Sequence, residues 1–279
     1  MRHRYEVVDA FSSDPLYGNP VAVVLDADDL STAEKQRIAA EMHLSETTFV
    51  SSLAPDADAE IRIFTPVNEL PFAGHPLIGT LLVLARRTGR ARLTLRTGRG
   101  LHAARVGLRP DRETALAELE QPETNGEPFA REDELLRALG VACSTLAVRL
   151  YDVGPRHVFV GLPDVDALSA LRPDHSALGA FDDLAAICFA PAGDHWRMRM
   201  FSPAYGVVED AATGSAAAPF ADHLRWHGLV APDETVHLRQ GIELGRRCDM
   251  TVLSEETGGS RRTWLRGNAA LVATGELRV

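Results

Sequence analysis

Hydrophobic and polar positions alternate along much of this chain with the two-residue period of strands. Short apolar runs typical of buried strands cover 21–25, 61–64 and 185–189, and a β-branched and aromatic run covers 47–50. Residues 77–85 differ, because they are apolar nearly all round, as in a helix that is buried on most sides. The pattern predicts an α+β protein in which strands surround buried helices.

Capping residues predict where the helices begin and end. Residues 31–34 form a capping box, which opens an amphipathic helix. His75-Pro76 opens the first buried helix, since proline suits the first helical position. Ser215 opens a second buried helix, and the two apolar runs end at Gly89 and Gly228.

The two buried helices look alike because the chain repeats itself. Three motifs occur twice in the same order, namely 18–24 with 154–160, 61–66 with 198–203, and 74–75 with 214–215. We therefore expect two homologous domains, residues 1–127 and 128–279, with the final strand free to pack back on the N-terminal domain. Two facing helix starts would attract a small anion, so the repeat bears on function as well as fold.

Charge and composition narrow the classes of function. The formal net charge of -10 argues against nucleic acid and anionic membranes as partners, since both select basic surfaces. No apolar stretch reaches the roughly 20 residues of a membrane span, and no apolar signal core follows Met1. Cys143, Cys188 and Cys248 are scattered, so we expect a cytoplasmic protein without disulfides or structural zinc.

Four side chains near the two helix starts are candidates for chemistry. His75 is expected to be neutral, because the positive end of a helix dipole disfavours imidazolium, and its alternative role is a structural cap. Ser215 occupies the matching place, where serine is also a preferred cap. Glu46 follows the helix that the capping box opens, and Asp210 precedes the second buried helix. A solvated or capping carboxylate is the plainer interpretation of each.

The remaining motifs exclude several kinds of site. Gly74 and Gly214 allow a ligand to approach the backbone, whereas Glu69 is interpreted as structural. The chain has no P-loop, no dinucleotide fingerprint, no HExxH and no Cys/His metal spacing, and no G-x-S-x-G motif surrounds Ser215. Carboxylates, a neutral His and helix amides, without cofactor or metal, suit proton transfer at a carbon next to a bound carboxylate.

Longer motifs point to a known family. They are 18–20 (Gly-Asn-Pro), 44–47 (Leu-Ser-Glu-Thr), 64–76 around Ala73-Gly74-His75-Pro76, and 209–216 around Thr213-Gly214-Ser215. Together they resemble the PhzF-type family, the phenazine-biosynthesis isomerases within the diaminopimelate-epimerase fold. The likeness covers most of the chain.

The resemblance implies two pseudo-symmetric domains, each a barrel-like, mostly antiparallel sheet around a central helix, with the active site in the cleft between them. It implies a homodimer without a cofactor, associated with other enzymes of the phenazine pathway. The implied reaction converts trans-2,3-dihydro-3-hydroxyanthranilate, a small carboxylate, to a reactive amino-ketone by moving a proton from C3 to C1 of the ring.

The family's roles transfer residue by residue. Glu46 matches its essential acid/base, and His75 and Asp210 match the polar pair that orients the substrate and assists the proton relay. Three further positions match those that hold the substrate, namely Gly74, Gly214 and Ser215. The related epimerases carry a cysteine at each helix start, where this chain has His75 and Ser215, so a thiol racemase lacks its parts here.

Two other functions are left open by the residues. One is a double-bond isomerase that acts on another unsaturated cyclic amino or imino acid of secondary metabolism. The other is a non-catalytic protein that binds a small carboxylate in the cleft.

Overall fold

The computed structural model describes residues 2–51, 56–257 and 260–279. The first half contains β1 (Arg2–Ala10), β2 (Asn19–Val24), α1 (Thr32–Met42), β3 (Glu46–Ser51), β4 (Ala59–Phe64), β5 (Glu69–Leu70), α2 (Gly74–Thr88), β6 (Arg92–Thr97), β7 (Gly100–Leu108), β8 (Thr114–Glu120) and β9 (Gly126–Pro128). The second half contains α3 (Glu132–Leu139), β10 (Arg149–Asp152), β11 (Arg156–Gly161), α4 (Val165–Ala170), α5 (His175–Leu178), β12 (Ala185–Pro191), β13 (Trp196–Ser202), β14 (Val207–Asp210), α6 (Gly214–Trp226), β15 (Val236–Gln240), β16 (Cys248–Thr257) and β17 (Ser260–Arg278). Single 3₁₀ turns cover Pro203–Tyr205 and Ile242–Leu244.

The strands of the first half close into a barrel. The ring runs β1–β2–β3–β4–β6–β7–β8–β17 and returns to β1. Only β2 with β3 and β4 with β6 pair in parallel in this ring. Helix α2 lies inside it, against β1, β2, β3, β7, β8 and β17. Closure leaves few strand edges exposed and surrounds the helix with apolar side chains.

The second half repeats this plan. Its strands run β10–β11–β12–β13–β15–β16–β17, with parallel pairs at β11–β12 and β13–β15, the counterparts of β2–β3 and β4–β6. Helix α6 packs against β11, β16 and β17 and also touches α2. The order of strands and helices therefore follows the sequence repeat.

The two halves exchange their closing strands. β17 starts beside β16, where Leu265 pairs with Val252, and its later part lies between β8 and β1 of the first half. Conversely, the chain continues from β8 into β9, and β9 pairs with β10 of the second half. The polar segment 121–128 thus contains a strand, although its two prolines and one glycine favour turns. The boundary at residue 127 stays a prediction.

Local signals place the helices that carry the site. Ser31 Oγ accepts from the Glu34 amide, and Glu34 Oε2 accepts from the Ser31 amide at 2.8 Å, as the capping box predicts. The buried helices α2 and α6 begin at Gly74 and Gly214, one residue earlier than expected. Pro76 still lies in the first turn, where no helical acceptor awaits its missing N–H.

The two central helices are packed differently. Helix α2 is wrapped by aliphatic side chains, and Leu77, Leu81 and Leu82 are fully buried, each stabilising the fold by roughly 1.5–3 kcal/mol. Helix α6 begins with alanines and buries Phe220, whose ring lies 4.8 Å from that of Phe189. None of the helices in the described parts of the chain is long and apolar enough to cross a membrane.

Candidate active site

The N-termini of α2 and α6 meet at their glycines. A Cβ placed on Gly74 would lie 2.4 Å from the carbonyl carbon of Gly214, and one placed on Gly214 would lie 2.7 Å from the His75 amide nitrogen. Only glycine permits such an approach of two backbones. The positive ends of two helix dipoles therefore face the same point, which attracts an anion.

A pocket opens at this meeting point. The space inside it that a water-sized sphere can reach is about 20 Å³, so a ligand larger than water must widen the pocket to enter. It is lined by all the predicted site residues, namely Glu46, Gly74, His75, Asp210, Gly214 and Ser215. The structure thus brings together, from both halves, residues that are up to 169 positions apart in sequence (46 to 215).

Glu46 enters the pocket from the first residue of β3. Its side chain is 14% exposed, and Glu46 Oε2 has no hydrogen-bond partner among the described residues. Burial raises the pKa of Glu46, and the nearby charge of Asp210 raises that pKa further, against a smaller opposing effect of the Ser45 hydroxyl. The protonated form of Glu46 is therefore favoured in the free protein.

His75, the second residue of α2, faces Glu46. His75 Nε2 lies 3.3 Å from Glu46 Oε2, and a backbone hydrogen bond joins the ring to Pro20. Pro20 has no N–H, so the ring donates to its carbonyl, and Nε2 keeps its lone pair toward Glu46. Burial lowers the pKa of His75 to about 3, so the ring is neutral at ordinary pH, as predicted from the helix start. His75 Nε2 and Glu46 Oε2 are thus close, but neither has a hydrogen-bond partner among the described residues, and the proton stays on Glu46.

Asp210, the last residue of β14, is held by several donors. Asn19 Nδ2 donates to Oδ1 at 2.8 Å, Thr213 Oγ1 donates to Oδ2 at 2.9 Å, and the amides of Ala211 and Ala212 also donate. Burial raises the pKa of Asp210, while these hydrogen bonds act in the opposite direction by favouring the charged form.

The two buried acids are therefore placed in unlike surroundings. Asp210 has the donors that stabilise a carboxylate, whereas Glu46 has a neutral ring beside it. Two carboxyl groups whose surroundings differ in this way can divide the roles of anion and proton carrier. The arrangement supports reversible protonation at Glu46 next to a fixed charge at Asp210.

The sequence did not identify two residues of the site, one behind Asp210 and one in the pocket lining. Asn19 was noticed only within a motif, yet it bonds to both Asp210 and the Ala212 carbonyl. His157 lines the pocket and contacts Ser215, and it was noticed only as part of a repeated strand. The repeat did contain a signal, because His157 replaces Val21 of the first copy.

An apolar wall completes the pocket. It is formed by residues that no sequence signal identified, namely Leu70, Pro155, Ala185, Met200, Tyr205 and Val207. Glu69, in contrast, lies outside this pocket and bonds to Arg62 with Nε–Oε1 at 2.7 Å, as a structural carboxylate would. The apolar side chains of this wall can pack against a ligand ring.

The cysteines of the chain are Cys143, Cys188 and Cys248. None of them lines the pocket in the part of the chain that the structure describes. Burial raises the pKa of the Cys188 thiol to about 12 and raises that of Cys248 as well, so both remain protonated. Within the described residues, no group of three or more His, Cys, Asp or Glu side chains could hold a metal ion.

Two barrel-like halves that enclose carboxyl groups between facing helix starts define a proton-transfer protein of the epimerase-like fold class. The family model described as "Phenazine biosynthesis-like protein" (PhzC-PhzF) matches residues 8–275, and the chain belongs to this family. The predicted family and fold class are thereby confirmed.

Individual relatives agree with this assignment. The chain is 53% identical, over 98% of both chains, to the trans-2,3-dihydro-3-hydroxyanthranilate isomerase of Pseudomonas aeruginosa. A solved PhzF-family phenazine biosynthesis protein from Bacillus anthracis matches with a TM-score of 0.84 at 25% identity over 100% of both chains. A predicted epimerase from Pseudomonas aeruginosa also gives a TM-score of 0.84, at 29% identity over 99% of both chains.

Proposed function

We propose that this chain is a cofactor-independent isomerase that converts trans-2,3-dihydro-3-hydroxyanthranilate to its reactive amino-ketone in phenazine biosynthesis. Full-length similarity to a relative of that name supports the choice of substrate. One observation of this chain supports the chemistry: a protonation-prone Glu46 and a donor-stabilised Asp210 share one pocket. General acid/base catalysis requires such a carboxyl group, with its pKa shifted toward the working pH.

The helix starts provide a seat for the substrate carboxylate. In the proposed complex this group lies at Gly74 and Gly214, where helix dipoles and backbone amides stabilise a negative charge. The Ser215 hydroxyl adds one donor. Asp210, held as a carboxylate, accepts a hydrogen bond from the substrate amino group. The ring then lies against the apolar wall, with its reacting edge toward Glu46.

Glu46 moves the proton in this mechanism. Its carboxylate takes the proton from C3, and the electron pair of the broken C–H bond shifts through the ring double bonds toward C1. The Glu46 acid then returns the proton at C1, and the resulting enol becomes the ketone. No atom or electron is gained or lost, so no cofactor is needed. His75, which is neutral and lies 3.3 Å from Glu46, does not compete for the proton between the two steps.

The remaining expectations concern the state of the protein in the cell. We propose a homodimer in the cytoplasm that associates with other phenazine-pathway enzymes and binds neither nucleic acid nor membranes. The net charge of -10 supports the last point, and three unpaired cysteines fit a reducing compartment. Sedimentation of the purified protein would test the dimer.

Turnover in deuterated water tests the activity. Purified protein should convert dihydro-hydroxyanthranilate and place deuterium on a ring carbon of the product, because the proton carried by Glu46 exchanges with solvent. A panel of other unsaturated cyclic amino and imino acids should react more slowly. Faster turnover of a panel member would favour the alternative isomerase. Calorimetric binding of 3-hydroxyanthranilate without any turnover would favour the non-catalytic binder.

A further inference from the structure

A buried His–Ser pair lies beside the predicted catalytic groups. His157, in β11, is 1% exposed, and its Nε2 lies 3.0 Å from Oγ of Ser215 at the start of α6. Both residues line the pocket. The contact joins a strand of the second half to the helix start that seats the substrate.

The other ring nitrogen fixes the direction of this hydrogen bond. His157 Nδ1 is buried and has no hydrogen-bond partner among the described residues. Burial lowers the pKa of His157 to about 3, against the opposing charge of Asp152, so the ring carries a single proton. A proton on Nδ1 would leave a buried donor unpaired, which costs about 1–3 kcal/mol, whereas a proton on Nε2 is paired with Ser215. The Nε2–H tautomer is therefore favoured.

We propose that His157 is a positioning residue that donates from Nε2 to Ser215 Oγ and thereby directs the Ser215 hydroxyl proton at the substrate carboxylate. This inference rests on the proposed function, because it needs a carboxylate at the helix starts. A hydroxyl that already accepts one hydrogen bond is left with its own proton to donate. Ser215 then adds a donor of fixed direction to the site of the substrate carboxylate, and this hydrogen bond strengthens substrate binding.

The opposite direction would make a different site. If Nε2 accepted the Ser215 proton, His157 would be a base and Ser215 a nucleophile, as in hydrolases. Such a base needs an acceptor for its other N–H, and His157 Nδ1 has none in the described residues. The two readings predict opposite tautomers of one ring.

The pseudo-symmetry argues that His157 is not required by the fold. Val21 occupies the matching position of the first half, where it pairs with Glu46 as His157 pairs with Ala185. The same strand position is thus filled by an apolar residue in one half and by histidine in the other. The histidine is found only in the half whose helix starts with serine.

The tautomer can be measured without any ligand. Nitrogen-15 NMR of histidine-labelled protein distinguishes a protonated ring nitrogen from a bare one, and the spectrum of His157→Gln identifies the His157 signals by their loss. We expect Nε2 protonated and Nδ1 bare at pH 7. A proton on Nδ1, or a doubly protonated ring, overturns the inference.

Binding of 3-hydroxyanthranilate measures the consequence. His157→Leu should raise its Kd about tenfold, as should Ser215→Ala, and the double variant should bind no more weakly than Ser215→Ala. His157→Gln, which can place an amide N–H near the Nε2 position, should recover most of the affinity. In turnover, KM should rise with kcat changed less than twofold or so. Additive losses in the double variant would mean that His157 does not act through Ser215.

The outcomes separate this inference from the proposed function. If the wild-type protein binds 3-hydroxyanthranilate but never turns over the dihydro compound, the activity is wrong and the coupling of His157 to Ser215 can still hold. If turnover is normal and the tautomer or the coupling fails, only the positioning role of His157 is wrong. If the Leu variant does not fold, the Gln variant and the NMR measurement decide.

Discussion

The two halves of the molecule present the same positions to the pocket but fill them with different side chains. The first half offers Glu46 at the start of β3, Leu70 beside β4 and His75 at the helix start, and the second half offers Ala185, Asp210 and Ser215 at the matching places. Each half thus supplies one carboxyl group, from a different strand. Backbone symmetry gives a seat for an anion, and side-chain asymmetry decides which side carries the proton.

This difference separates the protein from a symmetric two-base racemase. A racemase needs an equivalent acid or base on each face of its substrate, one from each half. Here, the position equivalent to Glu46 in the other half is occupied by Ala185, and the position equivalent to Asp210 is occupied by Leu70. The second carboxyl group is tied to Asn19 and Thr213, which makes it a fixed charge. One mobile proton on one face suits an isomerisation within a single ring.

Removal of the mobile proton should have the largest effect. Glu46→Gln should lower kcat about 10²- to 10⁴-fold, because the amide cannot carry a proton between ring carbons. Exposed Glu41→Gln is the matched control and should leave turnover unchanged. Steady-state kinetics with the dihydro substrate would check both variants. A Glu46→Gln enzyme with near wild-type kcat would assign the proton transfer to another group.

The two Arg–Glu pairs of the repeat should contribute unequally to the free energy of unfolding. Arg199 is 7% exposed, bonds to Glu209 and also donates to the Leu168 carbonyl, whereas Arg62, paired with Glu69, is 27% exposed. Arg199→Met should therefore reduce the free energy of unfolding by about 3–5 kcal/mol. Arg62→Met should reduce it by about 0–1 kcal/mol. Urea denaturation measures both, and equal losses would show that burial does not distinguish the two copies.

The pH dependence of kcat/KM should follow Glu46. Because the free enzyme must ionise Glu46 to remove the C3 proton, kcat/KM should rise with pH, by about tenfold per unit, up to the raised pKa of that group, and more steeply below the raised pKa of Asp210, which must also be ionised. His75 is neutral above its pKa of about 3 and adds no acid limb. The ionisation of the free substrate should be measured without enzyme, and the pH profile of kcat/KM should be corrected for it. A flat profile from acid to neutral pH would remove Glu46 from the mechanism.

The same group should also reduce stability slightly. Since the folded pKa of Glu46 is above its unfolded value, the wild-type protein loses stability as pH rises from the unfolded toward the folded pKa. Glu46→Gln has no such loss. Its free energy of unfolding should therefore exceed that of the wild type by about 1–3 kcal/mol at pH 7 and be nearly equal to it at pH 4. Ala185→Gln, at the matching position, should give no pH-dependent gain. A Glu46→Gln protein less stable at both pH values would contradict the cost of burying this acid.

The sequence revealed the local parts of this architecture. The capping box at 31–34, the helix starts and the repeat were all visible, because each depends on residues close together in the chain. Glu46 was different: nothing in its neighbourhood distinguishes it from a solvated carboxylate, and only the likeness to a family identified it. Its burial arises from α2 and from Asp210, which lie far away in the sequence.

The misses have the same physical origin. β9 lies in a segment whose prolines and glycine favour turns, and its strand geometry comes from pairing with β10. His157 lies in an apolar strand, where one polar residue was outweighed by its neighbours. Its partner is 58 residues away, so no local pattern could show the contact. Non-local contacts decided what the local pattern left undetermined.

The exchange of closing strands has a consequence for folding during synthesis on the ribosome. The first barrel contains the end of β17, a strand that is translated after all the other strands of both halves described above. Domains commonly fold in order as they emerge, N-terminal first. This barrel instead stays open until β17 has been synthesised, so a nascent chain that stops before β17 leaves the edges of β1 and β8 unpaired, and the first barrel cannot close before the second half has been made.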